Sequence, residues 1–250
     1  MELFSWNPTG KRAFEELPEI ELGSKPEIAQ FGDLATSVSF DSDGKLLAIA
    51  GADHSVVVVA IQEKKLQPRA HRTLTDHSGP VLSAAFSPAG EILVTASADR
   101  SLKVWDTATW KCLRTLTHHT ALVHCLAFRA PDKDSPRGAS TCASGSDDRT
   151  IRIWQPGIGR MVRIIRHHEG AILALVYSHD RRRLFSAGAE GIVRIIDAES
   201  DEVQQQWKAH DDWIYAMALS PDGKLLATGD WAGRVRMWDV TARVARQLEQ

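Results

Sequence analysis

Short apolar runs, each bounded by polar turns, recur along most of this 250-residue chain. Ile92 to Ala96 and Leu225 to Thr228 are two of them, and turns such as Ser87-Pro88-Ala89-Gly90 come before them. Short apolar runs between Pro- and Gly-containing turns are typical of β-strands joined by hairpins. The longest run, Val56 to Ile61, is far too short to span a bilayer and predicts a buried strand.

The strands belong to a repeat whose polar residues recur in a fixed order. The residues from Ser97 to Asp106 (SADRSLKVWD) recur as Ser146 to Gln155 (SDDRTIRIWQ). Weaker copies of this motif span Gly51 to Ala60, Gly188 to Asp197 and Asp230 to Asp239. A His precedes the first strand in four repeats, as His77, His119, His168 and His210. Four strands per repeat, with a period in the forties, predict stacked blades of a β-propeller.

The His, Ser-x-Asp and Trp-Asp signatures at these spacings resemble those of the WD-repeat (WD40) family. The resemblance covers the chain from about Phe31 to Gln250. It implies an all-β WD40-type propeller with five complete four-stranded blades and a partial N-terminal blade. We expect one propeller domain, with blades at about 31–75, 76–117, 118–166, 167–208 and 209–250. Residues 1–30 would form the partial blade and a connecting segment.

The resemblance also implies a hydrogen-bonded chain of four side chains in a blade. They are the His before the first strand, a Ser or Thr on the second, the Asp in the next turn and the Trp on the third. An Asp accepts from the His and from turn amides, while a buried indole N–H needs an acceptor. The candidates are His77, Thr95 or Ser97, Asp99 and Trp105 in the second repeat, and His119, Ser144 or Ser146, Asp148 and Trp154 in the third.

Other repeats depart from this pattern. The fourth has Glu190 in the Asp place and Ile196 in the Trp place, and the fifth has Ala232 in the Asp place. The first has Phe31 for the His and Val59 for the Trp. We therefore expect the second and third blades to be the best braced.

Two segments fall outside the complete repeats. Leu3 to Arg12 resembles the end of a repeat, with Trp6 as its third-strand Trp, and Glu15 to Ala29 is interpreted as a last strand and a surface connection. A half blade favours a chain taken from a longer protein, and the alternative is that a partner supplies the closure. Arg129 to Gly138, which is polar and contains two prolines, is interpreted as a tolerated insertion in a loop.

Composition argues against several partners and compartments. The formal net charge is −2, and the densest basic patch is Arg181-Arg182-Arg183, so we expect neither nucleic acid nor membrane binding. None of the three cysteines, Cys112, Cys125 and Cys142, belongs to a C-x-x-C pair. This cysteine usage favours free thiols in a reducing compartment, and we expect a cytoplasmic protein.

The repeated polar residues do not predict an enzyme. A His, Ser and Asp set suggests nucleophilic catalysis, but a catalytic set is normally unique, whereas this one recurs. The pairs His118-His119 and His167-His168 suggest a metal, but no other ligands stand at suitable spacing. We therefore expect no catalytic residues, no metal and no cofactor.

In the family, the His loop and the Asp turn of each blade reach one face of the propeller, which commonly contacts partners. The candidate contacts on this chain are Asp211, Asp212, Trp213, Asp230, Trp231, Arg100 and Arg149. Two Trp beside several carboxylates would suit a basic segment with an apolar anchor, because aromatic residues are enriched at binding hot spots. The alternative is that both Trp pack against neighbouring loops.

The leading hypothesis is a scaffold or recognition module that binds protein or peptide partners on this face. The alternative is a regulatory or sensor domain of a larger signalling or enzyme protein, which would supply further blades. A third hypothesis, hydrolysis or metal chemistry in the channel, needs a lone polar cluster that the sequence does not offer. Fold analogy alone does not identify the partner.

Overall fold

The computed structural model describes residues 34–62, 65–130, 140–241 and 245–247, and all regular secondary structure within them is β. The strands form five antiparallel sheets of four, each in sequence order. The predicted all-β propeller with five complete four-stranded blades is confirmed. The expected half blade at 1–30 and most of the 129–138 insertion lie outside the described residues. Within the described ranges, no helix is long and apolar enough to cross a membrane.

Each blade runs from an inner first strand to an outer fourth strand. The first is β1 (Ala35–Phe40), β2 (Leu46–Gly51), β3 (Val56–Gln62) and β4 (Lys65–Leu74). The second is β5 (Val81–Phe86), β6 (Ile92–Ser97), β7 (Leu102–Asp106) and β8 (Cys112–Leu116). The third is β9 (Val123–Arg129), β10 (Thr141–Ser146), β11 (Ile151–Gln155) and β12 (Arg160–Ile165). The fourth is β13 (Ile172–Tyr177), β14 (Arg183–Gly188), β15 (Ile192–Asp197) and β16 (Val203–Lys208). The fifth is β17 (Ile214–Leu219), β18 (Leu225–Asp230), β19 (Val235–Asp239) and β20 (Arg246–Gln247).

A side-chain oxygen holds the turn between the first and second strands. Ser87 Oγ accepts a hydrogen bond from the Ile92 amide at 3.2 Å, and Ser220 Oγ accepts one from the Leu225 amide at 2.9 Å. Gly90, in the first of these turns, has a φ of +74°, a left-handed conformation that costs glycine little. The Ser-Pro-x-Gly sequences therefore give two blades the same hairpin.

The hydrophobic core lies between the sheets. The inner strands lie side by side, so that β1 packs against β5, β5 against β9, β9 against β13 and β13 against β17. Four layers of buried side chains fill the spaces between the five described blades. The Trp of a third strand packs towards the preceding blade, as Trp105 does against Ala48 and Val58. The blades thus bury their faces only by stacking.

Replacement of Trp105 by Ala should lower the free energy of unfolding by about 3–5 kcal/mol, because the ring is buried between two blades and leaves a cavity. Urea unfolding measures the change. Leu113→Ala is the control, because Leu113 is 50% exposed on β8 and its truncation should cost within about 0.5 kcal/mol. Equal losses in the two variants would contradict the packing described for Trp105.

Candidate interaction surface

The loop before the first strand and the turn between the second and third strands meet at one end of every sheet. A backbone hydrogen bond of 2.8 to 3.0 Å joins them in each blade. The donors are the amides of Ala52, Ala98, Asp147, Ala189 and Trp231, and the acceptors are the carbonyls of Leu34, Pro80, Leu122, Ala171 and Trp213. We call this end of the sheets the upper face. Its loops are held in register with the strands beneath them.

In the second blade, a chain of hydrogen bonds links the upper face to the sheet. His77 Nδ1 lies 2.8 Å from Asp99 Oδ2, and His77 Nε2 lies 2.7 Å from Thr95 Oγ1. The Trp105 indole donates to the same Thr95 oxygen at 3.0 Å. Asp99 Oδ1 accepts from the Ser101 hydroxyl at 2.6 Å. The loop, the turn and two strands are thereby tied together.

The third blade repeats this chain with a serine. His119 Nδ1 lies 2.7 Å from Asp148 Oδ2, and His119 Nε2 lies 2.7 Å from Ser144 Oγ. The Trp154 indole donates to Ser144 Oγ at 2.8 Å. Thr150 takes the part of the second-blade serine, donating its hydroxyl to Asp148 Oδ1 at 2.6 Å.

The structure distinguishes the two hydroxyls that the sequence offered in each blade. Thr95 and Ser144 lie in the chain between His and Trp. The hydroxyls of Ser97 and Ser146 instead donate to carbonyls of the His loops, at 2.8 and 3.2 Å. These two serines therefore brace the loop directly and take no part in the His–Trp link.

Burial and hydrogen bonding determine the protonation of the histidine and the acid in these hydrogen-bonded chains. Burial lowers the pKa of His77. Although burial opposes it, hydrogen bonds from Ser101 and His77 lower the pKa of Asp99 to about 2. A neutral His77 therefore donates from Nδ1 to the ionised Asp99 and accepts the Thr95 hydroxyl at Nε2. The Thr95 oxygen is then left to accept the indole N–H of Trp105, which satisfies each of these buried polar groups.

The fifth blade has the same chain of hydrogen bonds, but its acid stands at another sequence position. His210 Nδ1 lies 2.9 Å from Asp230 Oδ2, and His210 Nε2 lies 2.7 Å from Thr228 Oγ1. The Trp238 indole donates to Thr228 Oγ1 at 2.9 Å. The interpretation that Ala232 leaves this blade without its acid is wrong, because Asp230 reaches the His from the end of β18.

This bracing role removes Asp230 from the partner-facing residues. Its side chain is fully buried, and its carboxylate also accepts from Arg234 Nε at 2.7 Å. A carboxylate held by two neighbours inside the blade is not available to a partner on the upper face. Three of the described blades, rather than the two expected, have a complete chain from His to Trp.

The fourth blade replaces both the Asp and the Trp. Glu190 Oε2 lies 2.8 Å from His168 Nδ1, and Arg194 contacts the two oxygens of this carboxylate at 2.7 and 2.9 Å. Ile196, fully buried, occupies the Trp position. Burial and the charge of Arg194 lower the pKa of His168 to about 4. A longer acid paired with an arginine thus braces this blade.

The turn of the fourth blade also supports the His loop of the fifth. The Gly191 carbonyl accepts from the amides of Ala209 and His210 at 2.9 and 3.0 Å. Gly191 has a φ of +64°, and a Cβ atom there would lie 2.1 Å from the His210 carbonyl oxygen. Only glycine allows this approach between blades. The loop that leads to Trp213 therefore rests on the neighbouring blade.

Three aromatic side chains of the fifth blade form an exposed group on the upper face, which we call the aromatic cluster. The ring centroids of Trp213 and Tyr215 lie 6.1 Å apart, and those of Tyr215 and Trp231 lie 5.4 Å apart. Trp213 is 48% exposed, Tyr215 42% and Trp231 73%. Tyr215 is not among the residues that the sequence indicated, although its spacing of two residues from Trp213 in an extended segment places both on one side.

The surroundings of the aromatic cluster carry negative charge. The Asp211 side chain is 80% exposed, and its carboxylate lies 3.9 Å from the Arg234 guanidinium. Asp212 Oδ1 accepts from the Trp213 amide at 2.8 Å. Burial and the charges of Asp212 and Asp147 raise the pKa of the Tyr215 hydroxyl. The cluster thus combines apolar rings with nearby carboxylates.

The two arginines of the candidate set lie in the Asp turns of other blades. Arg100 and Arg149 are exposed, and both have left-handed backbone, with φ of 72° and 65°. The same turn position is filled by Gly191 and Gly233 in the fourth and fifth blades. Arg100 also borders a cavity of about 390 Å³ between the second and third blades. The arginines therefore belong to other blades than the aromatic cluster and stand at a position where the backbone favours glycine.

The sequence model of the WD40 family, described as WD domain, G-beta repeat, matches residues 30–59, 69–106, 110–155, 159–197 and 201–239. The chain belongs to the WD40 family. The matched segments are offset by one strand from the sheets, since each of the last four begins at the fourth strand of one sheet and ends at the third strand of the next. The resemblance inferred from the signature residues is confirmed.

Several curated WD40 relatives share about a quarter of their residues with this chain. It is 28% identical to pre-mRNA-processing factor 19 of Oryza sativa subsp. japonica, over 67% of the chain and 31% of the relative. It is 28% identical to COMPASS component SWD3 of Saccharomyces cerevisiae, over 82% and 50% respectively. It is 28% identical to nuclear distribution protein PAC1 of Arthroderma otae, over 79% and 47%. The chain therefore spans half or less of the length of these relatives.

WD40 membership places the chain among protein-interaction scaffolds, whose fold is generally non-catalytic. Within the described residues, no group of three or more His, Cys, Asp or Glu side chains is arranged to hold a metal. His119 and His168, the second members of the His pairs, brace their blades. His118 packs edge-on against Trp154, and His167 Nε2 lies 2.8 Å from the Asp201 carbonyl oxygen.

The WD40 histidines predict a loss of stability in mild acid. The pKa of His168 falls from 6.5 in the unfolded chain to about 4 in the fold, so the unfolded chain binds more protons between these values. Its contribution is therefore complete above pH 6.5 and is lost as the pH falls through about 4. His77 and His119 act in the same direction. Urea unfolding measured across this range should show stability falling as the pH is lowered, with His168 contributing up to about 1.4 kcal/mol per pH unit. A constant or rising stability on acidification would contradict the neutral buried histidines.

Replacement of Arg149 by Gly should raise the free energy of unfolding by up to about 1 kcal/mol, because glycine relieves the left-handed backbone. Chemical unfolding measures the change. Arg160→Gly is the matched control, since Arg160 is an exposed strand residue. This variant should lower the free energy of unfolding by about 0.5–1 kcal/mol. Equal destabilisation in both variants would show that the turn of the third blade is not strained.

Proposed function

We propose that this WD40 chain recognises a segment of a partner protein on its upper face and that the aromatic cluster anchors that segment. The observation that carries the proposal is the exposure of Trp213, Tyr215 and Trp231 as one contiguous group. Large aromatic side chains are expensive to leave in water and are enriched among residues that dominate binding energy. The aromatic cluster is ordered before binding because the loop that carries it is braced. Little conformational entropy of these side chains is therefore lost when a partner binds.

The partner segment is basic and carries an apolar side chain. Asp211 and Asp212 stand beside the rings, and the charges of Asp212 and Asp147 are felt at the Tyr215 hydroxyl. Lysine or arginine side chains of the partner would meet these carboxylates, while an apolar side chain would pack on the indole rings. Charge of this kind directs which partner is accepted and how fast it associates more than it adds affinity.

Arg100 and Arg149 supply a second region of contact with the opposite charge. Both side chains are exposed and stand at turn positions where two other blades have glycine. A non-glycine residue kept in left-handed backbone supports a functional role for its side chain. An acidic part of the partner, distinct from the basic anchor, would pair with these arginines.

The alternative function is a regulatory or sensor domain of a larger protein. It is supported by the coverage of the relatives, of which the chain spans 31%, 50% and 47%. In that case the upper face binds a segment of the same polypeptide. Neither function requires a catalytic group, and we propose none for this chain.

The test is selection of short random peptides on the purified chain, followed by fluorescence anisotropy with the best binders. We expect sequences that combine Lys or Arg with a large apolar residue. The pair Trp213→Ala and Trp231→Ala should weaken binding by at least about thirtyfold, equivalent to about 2 kcal/mol for a hot spot. Asp211→Lys should selectively weaken the binding of basic peptides, and this loss of affinity should be larger at low salt.

The control is Ile158→Ala, which removes an equally exposed apolar side chain, 61% accessible, from the turn between β11 and β12. It should leave the peptide affinities unchanged. If the selected peptides bind the double Trp variant as tightly as they bind the natural chain, the proposal is wrong. Selection of purely acidic peptides would reverse the assigned charge of the partner.

A further inference from the structure

The innermost strand of each described blade has a β-bulge at its upper end. The second residue of the strand has no partner on the neighbouring strand, because the register shifts at this point. A bulge of this kind changes the direction of a side chain and is common beside binding sites. The five bulge residues are Thr36, Leu82, His124, Leu173 and Tyr215. They therefore occupy equivalent places on the strands nearest the propeller axis.

Each bulge residue belongs to a set of three positions on the upper face. The other two positions are the residues joined by the backbone hydrogen bond between the His loop and the turn of the same blade. In the fifth blade, the aromatic cluster fills all three positions. The sets in the second, third and fourth blades are Pro80, Leu82 and Ala98; Leu122, His124 and Asp147; and Ala171, Leu173 and Ala189. Of these three sets, only that of the third blade contains polar side chains.

The fourth blade separates the polar set from the aromatic cluster. Its inner strand β13 packs between β9 of the third blade and β17 of the fifth. Ala171 and Ala189 have short side chains, and Leu173 is only 8% exposed. The fourth blade therefore forms the floor of a groove, with the third blade on one side and the aromatic cluster on the other. We call it the central groove.

The polar side of the central groove is a His–Asp pair. His124 Nε2 donates to Asp147 Oδ1 at 2.7 Å. The two side chains are 23% and 36% exposed. No other hydrogen bond to this carboxylate comes from the part of the chain that the structure describes, so Oδ2 is open to a ligand. The second and fourth blades have leucine and alanine at these two positions, so the pair is not required for the fold of a blade.

The charge of this pair reaches the opposite side of the groove. Burial and the charges of Asp212 and Asp147 raise the pKa of the Tyr215 hydroxyl. The Asp147 carboxylate therefore interacts with a ring that belongs to the next blade but one. A cation between them would be attracted both by the carboxylate and by the face of an aromatic ring.

We propose that the central groove binds a cationic side chain of the partner segment, with Asp147 as the acceptor and His124 as the residue that positions it. The proposal rests on the proposed function and adds the path of the bound segment. The segment places an apolar side chain on the aromatic cluster and crosses the fourth blade towards the third. Because the rings and Asp147 are fixed on braced loops, the apolar residue and the cationic residue of the partner must stand at a fixed spacing.

The experiment is selection of random peptides in parallel on the natural chain and on a variant that combines His124→Leu and Asp147→Ala. These substitutions give the third blade the residues of the second and fourth, so the fold should accept them. The natural chain should select a Lys or Arg at a fixed spacing from a large apolar residue. The variant should still select the apolar residue but lose the preference for the basic one.

Affinities test the role of each residue of the pair. Changing the basic residue of the best peptide to Gln should weaken binding to the natural chain by about five- to tenfold, as measured by fluorescence anisotropy. The two peptides should bind Asp147→Asn with equal affinity. His124→Leu should reduce the difference between the peptides, and His124→Gln should restore it, because the amide N–H of Gln can replace the imidazole N–H. A merely structural role of His124 would lower the affinity for both peptides alike.

The control variant is Asp43→Asn. It removes one negative charge from the hairpin between β1 and β2, at the opposite end of the sheets, where the Asp43 side chain is 63% exposed. The difference between the two peptides should be unchanged in this variant. Thermal melts of the His124 and Asp147 variants should agree with that of the natural chain.

Two results would overturn the proposal while the proposed function stands. One is selection of the same basic residue at the same spacing on the natural chain and on the double variant. The other is selection of apolar residues by the natural chain without a basic residue at a fixed spacing. If a basic residue is selected and depends on Asp147, but no apolar residue accompanies it, then anchoring by the aromatic cluster is wrong and the cation site stands.

Discussion

A four-stranded sheet has two faces, and this chain can bury both only by placing another sheet against each. The four described layers of core satisfy that constraint, as where Val56 and Val58 of the first blade share a layer with Trp105 of the second. Stability is therefore a property of pairs of blades. Whatever the upper face does depends on this stacking, because no blade has an interior of its own.

The His–acid chains carry the order of the core outwards. Each begins at a hydroxyl on a buried strand and ends at a carboxylate that also organises the turn above it, as Thr95 and Asp99 do around His77. Such a chain is useful only when every member is satisfied, since an unpaired buried polar group is costly. The result is a set of loops that are short, exposed and nevertheless fixed, which suits a surface that presents side chains to other molecules.

The repeat motif was sufficient to predict the propeller and the blade count, because the recurrence of His and Trp sets strand order whatever the loops contain. It could not place the acid of the fifth blade, since a turn can be closed from more than one residue and counting positions favoured Ala232 over Asp230. Tyr215 was missed because the candidate contacts were taken from the loops and turns, whereas Tyr215 lies on β17. Placing these side chains required knowing which direction each strand end faces, and that depends on the neighbouring sheets.

The contact at Gly191 links two consecutive repeats, the fourth and the fifth. Because its carbonyl supports the amides of Ala209 and His210, the loop bearing Trp213 takes part of its shape from the repeat before it. Recombining or shuffling repeats between members of such a family would therefore not transfer a binding loop as an independent unit. The binding loop and the turn that supports it belong to two different repeats. Mutations that change the shape of the binding loop would therefore have to be matched by changes in the turn of the preceding repeat.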